Sequence, residues 1–183
     1  KVSYKASVFS PLMNRPIGDC ETGKLRARFL AQACGDVLEI GFGSGLNLNH
    51  YPAAIRSLIA IDPTRVAAPV VPGIPQVQFK VMSAEALQFR AASFDTVVST
   101  FTLCSIADLP QTLSEVRRVL KPGGKLLFLE HGKSWIKPLA WLQNLLNPFY
   151  VVLACGCHVN CDIASEMANS GPQVEQVQLL ALL

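Results

Sequence analysis

The amino-acid sequence predicts an α/β fold, a doubly wound parallel sheet with helices on both faces. Two observations carry that prediction. Short apolar runs alternate with segments of helical period, and the runs are nearly continuous in apolar character, as strands covered on both sides require. The chain has 183 residues, enough for one sizeable core. It is expected to form a single domain over 1–183: an N-terminal arm and helix over 1–35, a core over 36–130 and a C-terminal segment over 131–183.

Residues 1–18 lack a clear period, whereas 21–33 place Leu25, Phe29 and Leu30 on one helical face. Asp36–Ile40 reads as a buried strand, followed at once by Gly41-Phe42-Gly43-Ser44-Gly45 and by a helix expected from Leu46 to about Tyr51-Pro52. The second strand, Ser57–Ile61, stops at Asp62-Pro63. Three prolines and one glycine over 64–75 leave room only for a short or broken helix. Val77–Val81 alternates as strand three and ends at Ser83-Ala84-Glu85, and Ser93–Thr100 is strand four. A helix over 108–120 carries Leu109, Leu113, Val116, Val119 and Leu120, and Pro122-Gly123-Gly124 ends it before strand five, Lys125–Leu129. Gln173–Leu179 reads as strand six. No residues remain for a further strand, so a sheet edge is expected to lie open.

Half of the residues are apolar and 16% are charged, which excludes a disordered chain. A net charge of +3 without a tight Lys/Arg cluster argues against a nucleic-acid surface. Six cysteines, three of them in apolar stretches, fit a reduced cytoplasmic compartment better than a disulfide framework. No signal peptide opens the sequence and no charge-free run reads as a membrane span. Cys155, Cys157, His158 and Cys161 invite a metal reading, but paired C-x-x-C knuckles are missing, so no metal site is expected.

A glycine loop between a strand and a helix lets backbone approach a ligand and aims free N–H groups at it. Asp62 ends the next strand 21 residues after Gly41, where a carboxylate can accept from ribose hydroxyls. A dinucleotide fingerprint would place its third glycine where Leu46 stands, whereas here glycine falls at Gly45. This spacing favours an adenosyl ligand without a pyrophosphate, with an NAD-dependent dehydrogenase as the alternative.

Further segments carry a family resemblance. Val37–Gly45 resembles motif I of the class I S-adenosylmethionine-dependent methyltransferases, which share a Rossmann-like sheet. Ser83–Leu87 resembles their adenine-contacting segment, Ser93–Ser99 their fourth-strand motif, and Arg118–Gly124 their turn before strand five. More narrowly, Ser99–Ile106, Leu129-Glu130-His131-Gly132, Trp141-Leu142-Gln143, Leu146-Asn147-Pro148 and Gly156–Asn160 are similar to methyltransferase-like proteins whose animal members methylate small thiols and associate with lipid membranes.

The resemblance implies S-adenosylmethionine as cofactor, leaving S-adenosylhomocysteine. Glu39 would support the loop, and Gly41, Phe42, Gly43 and Gly45 would pack against the methionine part. Asp62 and Pro63 would meet the ribose, Ala84 and Glu85 the adenine, and Thr100 and Thr102 would flank the cofactor. His131 is the candidate base, with Glu130 orienting it or a loop, and Tyr4, His131 and Trp141 are expected to meet the acceptor. Residues 138–161 hold no Asp, Glu, Lys or Arg, and read either as a core-packed helix pair broken at Pro148 or as a lid over an apolar acceptor pocket with peripheral membrane contact. A small apolar acceptor is implied, a thiol first. A lipid headgroup or quinone is the alternative, and an inactive cofactor-binding module a third reading.

Overall fold

Val37, Leu38 and Ile40 have no polar atoms beyond the backbone, and β1 (Gly35–Ile40) buries them at the centre of a sheet. A computed structural model describes residues 20–64, 77–153, 157–163, 165–166 and 178–180. Among these, β1 is joined by β2 (Ile55–Asp62), β3 (Val77–Val81), β4 (Phe94–Thr100), β5 (Leu120–His131) and β6 (Gln178–Leu180). The six strands lie in the order β3-β2-β1-β4-β5-β6, every neighbouring pair parallel. The chain reverses its direction of winding between β1 and β4. Loops leaving those strands diverge there and open a crevice at the carboxyl ends.

Helices cover both faces. On one side, α1 (Cys20–Leu30) packs Phe29 and Leu30 with Val37, Leu58, Val98 and Leu127. On the other, α2 (Leu109–Val119) packs Leu109, Leu113, Val116 and Val119 with Leu38, Ile40, Val97 and Phe128. Asp108 caps α2 by accepting from the Gln111 amide at 3.0 Å, and Pro110 sits in the first turn, where its missing N–H costs nothing. The doubly wound α/β architecture is the one expected.

Three local expectations are corrected. Only a 3-10 turn, Leu48–His50, follows the glycine loop, because Pro52 leaves too few residues for a helix and holds Tyr51 extended at φ −68°, ψ 136°. Strand β5 begins at Leu120, ahead of Pro122-Gly123-Gly124. The register jumps there from Leu120 to Lys125, and Gly123 turns at φ +76°. The sixth strand pairs with β5, Leu129, Glu130 and His131 lying opposite Gln178, Leu179 and Leu180. Finally α3 (Lys137–Leu153) is one helix running through Pro148. Expectations on Tyr4, on 65–75 and on 173–177 lie outside the described residues.

Two of the quoted motifs tie α3 down. Gln143 accepts from the Ser134 amide at 2.8 Å and donates to the Gly132 carbonyl at 3.3 Å, fixing the turn out of β5. Asn147 accepts from the Val159 amide at 3.2 Å, and Asn144 from Asn160 Nδ2 at 3.0 Å. Ala140 is buried and Tyr150 packs against the core, whereas Leu142, Leu145 and Leu146 lie exposed, with Trp141 65% and Phe149 70% exposed. No helix of the described residues is long and apolar enough to cross a membrane.

Candidate active site

Gly41 and Gly43 show why the loop after β1 needs its glycines. Gly41 has φ +75°, and a Cβ there would collide with the Thr102 side chain arriving from β4. Gly43 has φ +52° and faces open space. Its amide donates to Asp62 Oδ2 at 3.1 Å, while Asp62 Oδ1 accepts from the Thr64 amide at 2.9 Å and the Thr64 hydroxyl at 2.6 Å. The carboxylate at the end of β2 therefore fastens the loop at the end of β1.

A cavity of about 510 Å³ opens above this pair. Gly41, Phe42, Gly43, Asp62, Pro63, Ala84, Glu85, Thr100 and Thr102 line it, drawn from the ends of four neighbouring strands. Gly45 and Glu39 do not. Gly45 is buried and closes the turn by donating to the Phe42 carbonyl at 3.0 Å. Glu85 Oε1 accepts from the Asp108 amide at 2.9 Å, which ties the β3 end to the start of α2.

Beneath the cavity lies a buried polar network. Glu39, 1% exposed, accepts from Asn47 Nδ2 at 2.8 Å and from the Tyr51 hydroxyl at 2.9 Å. Asn47 also donates to Thr100 Oγ1 at 2.9 Å, and Arg26 donates to Asn47 and, at 3.0 Å, to Thr100. Burial raises the Glu39 carboxyl to about 7, against the partial pull of Tyr51, Asn47 and Arg26. Burial also raises Tyr51 and lowers Arg26.

Arg26, Leu46, Asn47, Met82 and Ile106 line the cavity without having been assigned to the site from the sequence. The signal for Arg26 was present: it stands four residues before Leu30, on the buried stripe of α1. Asn47 could have been found as a polar residue placed between a glycine turn and a buried strand end.

The neighbouring turn is shaped by Glu130. Its Oε1 accepts from Ser99 Oγ at 2.9 Å and from the amides of Thr102 and Leu103 at 2.8 and 2.9 Å, so it orients a loop. Burial raises its pKa. Phe101 takes φ +53° in this turn, a conformation that Glu130 and the Leu129 carbonyl hold in place. His131 ends β5 opposite Leu180, and its side chain lies outside the described residues. Trp141 stands apart from the cavity, on the outer side of α3 beside Lys133, Lys137 and Asp162. Cys104 and Cys157 are buried thiols with sulfurs 3.0 Å apart; the contact raises the pKa of Cys104 and lowers that of Cys157.

A glycine loop, an acid on the next strand and a cavity at the switch point define a nucleoside-binding α/β enzyme. Residues 38–128 match the family model described as a methyltransferase domain. The chain is 31% identical to rat thiol S-methyltransferase TMT1B over 78% of its own length, and 30% identical to the human protein over 96%. It spans 61% of the rat protein and 76% of the human one. It is also 30% identical, over 79% of its length and 72% of the relative's, to phosphatidylethanolamine N-methyltransferase of Cereibacter sphaeroides. Among solved structures, YcgJ of Bacillus subtilis superposes with a TM-score of 0.67 at 22% identity, covering 82% of this chain and 66% of that one. The chain belongs to the class I S-adenosylmethionine-dependent methyltransferases.

Proposed function

We propose that this chain takes S-adenosylmethionine into the cavity beside Gly41–Gly45 and transfers its methyl group to a small apolar acceptor, a thiol first. One observation carries the reading: an open-faced glycine turn locked to an acid on the next strand, beside a cavity whose apolar lining includes Phe42, Leu46, Met82 and Ile106. The residues fit the cofactor. Gly43 offers backbone no side chain would shield, and Asp62, held by Gly43 and Thr64, keeps acceptor capacity for a ribose hydroxyl. Ala84 and Glu85 would meet the adenine, with Pro63 beside the ribose. Glu39 and Gly45 would act from below, by holding Asn47 and the turn.

When bound, the sulfonium supplies an electrophilic methyl for in-line displacement. The chain's part is to align the acceptor and exclude water. Thr100 and Thr102 would border the reacting end, where β4 meets the glycine loop. A thiol acceptor reacts as its thiolate and needs little help near neutral pH. His131, at the carboxyl end of β5, would take the proton. Similarity to the thiol S-methyltransferases TMT1B of rat and human supports a thiol.

A lipid headgroup is the second reading, supported by the phosphatidylethanolamine N-methyltransferase relative and by the outward apolar face of α3. Trp135 and Trp141 lie exposed beside Lys133 and Lys137, with Leu145 and Phe149 exposed further along α3, an arrangement suited to the interface of an anionic bilayer. Binding to phosphatidylglycerol vesicles, lost in Trp141→Glu/Phe149→Glu, would support peripheral contact; equal binding by both proteins would remove it.

Calorimetric titration with S-adenosylhomocysteine tests the main reading. Asp62→Ala should weaken binding by about 1–3 kcal/mol, after which a thiol panel decides the acceptor. A folded wild type that binds no S-adenosylhomocysteine would overturn the enzyme reading. Binding without turnover across thiols, lipids and quinones would favour an inactive module.

A further inference from the structure

Arg26 is 4% exposed, yet it lines the cavity. Its Nη1 makes the bonds to Asn47 Oδ1 and Thr100 Oγ1, both neutral oxygens. Nε is buried and has no hydrogen-bond partner among the described residues. Among the described residues Glu39 reaches the guanidinium by hydrogen bonds through Asn47, and the charges of Glu39 and Glu130 favour its cationic form less than burial opposes it. The Phe101 ring lies under the guanidinium carbon at 5.2 Å, covering a face and leaving the in-plane donors as the edge for recognition. A cation this buried, hydrogen-bonded to neutral groups and only partly offset by the neighbouring carboxylates, is stabilised further by an anion at the cavity.

Position specifies which anion. Across the carboxyl edge of the sheet, the cavity residues run from Glu85 after β3, through Asp62 on β2 and Gly41 after β1, to Thr100 on β4 and Arg26 beside it. Two strand spacings separate β2 from β4, about 10 Å. That span suits an extended ligand whose ribose sits at Asp62 and whose far end carries an amino acid. We propose that Arg26 is the carboxylate receptor of the site, its guanidinium at the cavity wall taking the α-carboxylate at the amino-acid end of the cofactor. The assignment rests on the cofactor reading above. It also gives the site a means of discrimination, since a nucleoside lacking the amino-acid end leaves the guanidinium unpaired. Burial already depresses the Arg26 pKa, and a paired carboxylate reverses that pressure.

The test compares S-adenosylhomocysteine with 5′-methylthioadenosine, which keeps the adenosine and thioether but has no amino-acid end. Wild type, Arg26→Lys and Arg26→Gln are titrated with both. Arg26→Gln should weaken S-adenosylhomocysteine about 10- to 100-fold, the range for losing a bond to a charged group, and shift 5′-methylthioadenosine by less than about threefold. Arg26→Lys, keeping the charge without the fork, should fall between. Equal weakening of both ligands, or no change in either, overturns the proposal. If Arg26→Gln does not fold, the wild-type Arg26 Nε–H resonance carries the test. It should shift with S-adenosylhomocysteine and stay with 5′-methylthioadenosine, and a resonance that responds alike to both overturns the proposal. A folded wild type that binds neither compound refutes the cofactor reading itself, a different result from an Arg26 variant that leaves both affinities unchanged.

Discussion

The two ends of the sheet carry charged networks of similar make-up in opposite surroundings. At the amino end, Arg56 meets Asp36 at 2.7 Å and Lys121 meets Asp95 at 2.8 Å, all partly open to water. At the carboxyl end, Arg26, Glu39, Asn47, Tyr51 and Thr100 form a network closed to it, except where the cavity enters. The acids respond in opposite directions. Arg56, through its hydrogen bond, holds Asp36 well below the usual carboxylate range, whereas burial pushes Glu39 up to about 7. Solvated charges are satisfied by one another. The buried ones are under-compensated, and a binding site benefits from that because a ligand can supply the missing partner.

The comparison breaks most sharply at Gly41. Gly41→Ala forces a side chain into φ +75° and into Thr102, so unfolding in urea should show a loss of about 2–4 kcal/mol. Binding of S-adenosylhomocysteine should vanish with it. A mild effect would mean that the β4 turn yields easily and that Glu130 does not fix it.

Glu39 comes next. Its folded pKa lies above its unfolded value, so its contribution is full below pH 4.5 and is lost as pH rises through about 7. Wild type should therefore lose about 2–3 kcal/mol between about pH 5 and pH 8 that Glu39→Gln does not lose. Parallel urea melts at the two pH values read the difference directly. Asp36 has the opposite sign: its contribution is present above the ordinary carboxylate pKa and lost only in strong acid. Because this pair is solvent-screened, Asp36→Asn should cost less than about 1 kcal/mol at neutral pH, and less still in high salt. A larger loss would show that the Asp36 bonds from Ser57 and Lys121 act as a unit with Arg56.

The strands, the glycine loop and Asp62 were legible in the sequence because their signals are local. Apolar runs ending in glycine or acid need only their own neighbours to declare a strand and a turn. The helix expected after Gly45 failed for an equally local reason, Pro52, whose grip on Tyr51 outweighs the apolar pattern. The α3 segment was less legible. Its lack of charge suggested burial or a lid, yet Trp141, Leu145 and Phe149 lie outward and none of them lines the cavity.

By itself the sequence determined a parallel α/β sheet, its winding, and a glycine turn paired with an acid at the switch point. These follow from periodicity and from backbone angles that glycine adopts at no steric cost. Only the tertiary structure decided what lies beneath that turn. Arg26 meets Thr100 across 74 residues of chain, and Ser99 meets Glu130 across 31. Such partners are chosen by which faces pack together. A buried polar group has no water to fall back on, so the final arrangement of the core, rather than the identity of the residue, sets its bonds, its charge and its use.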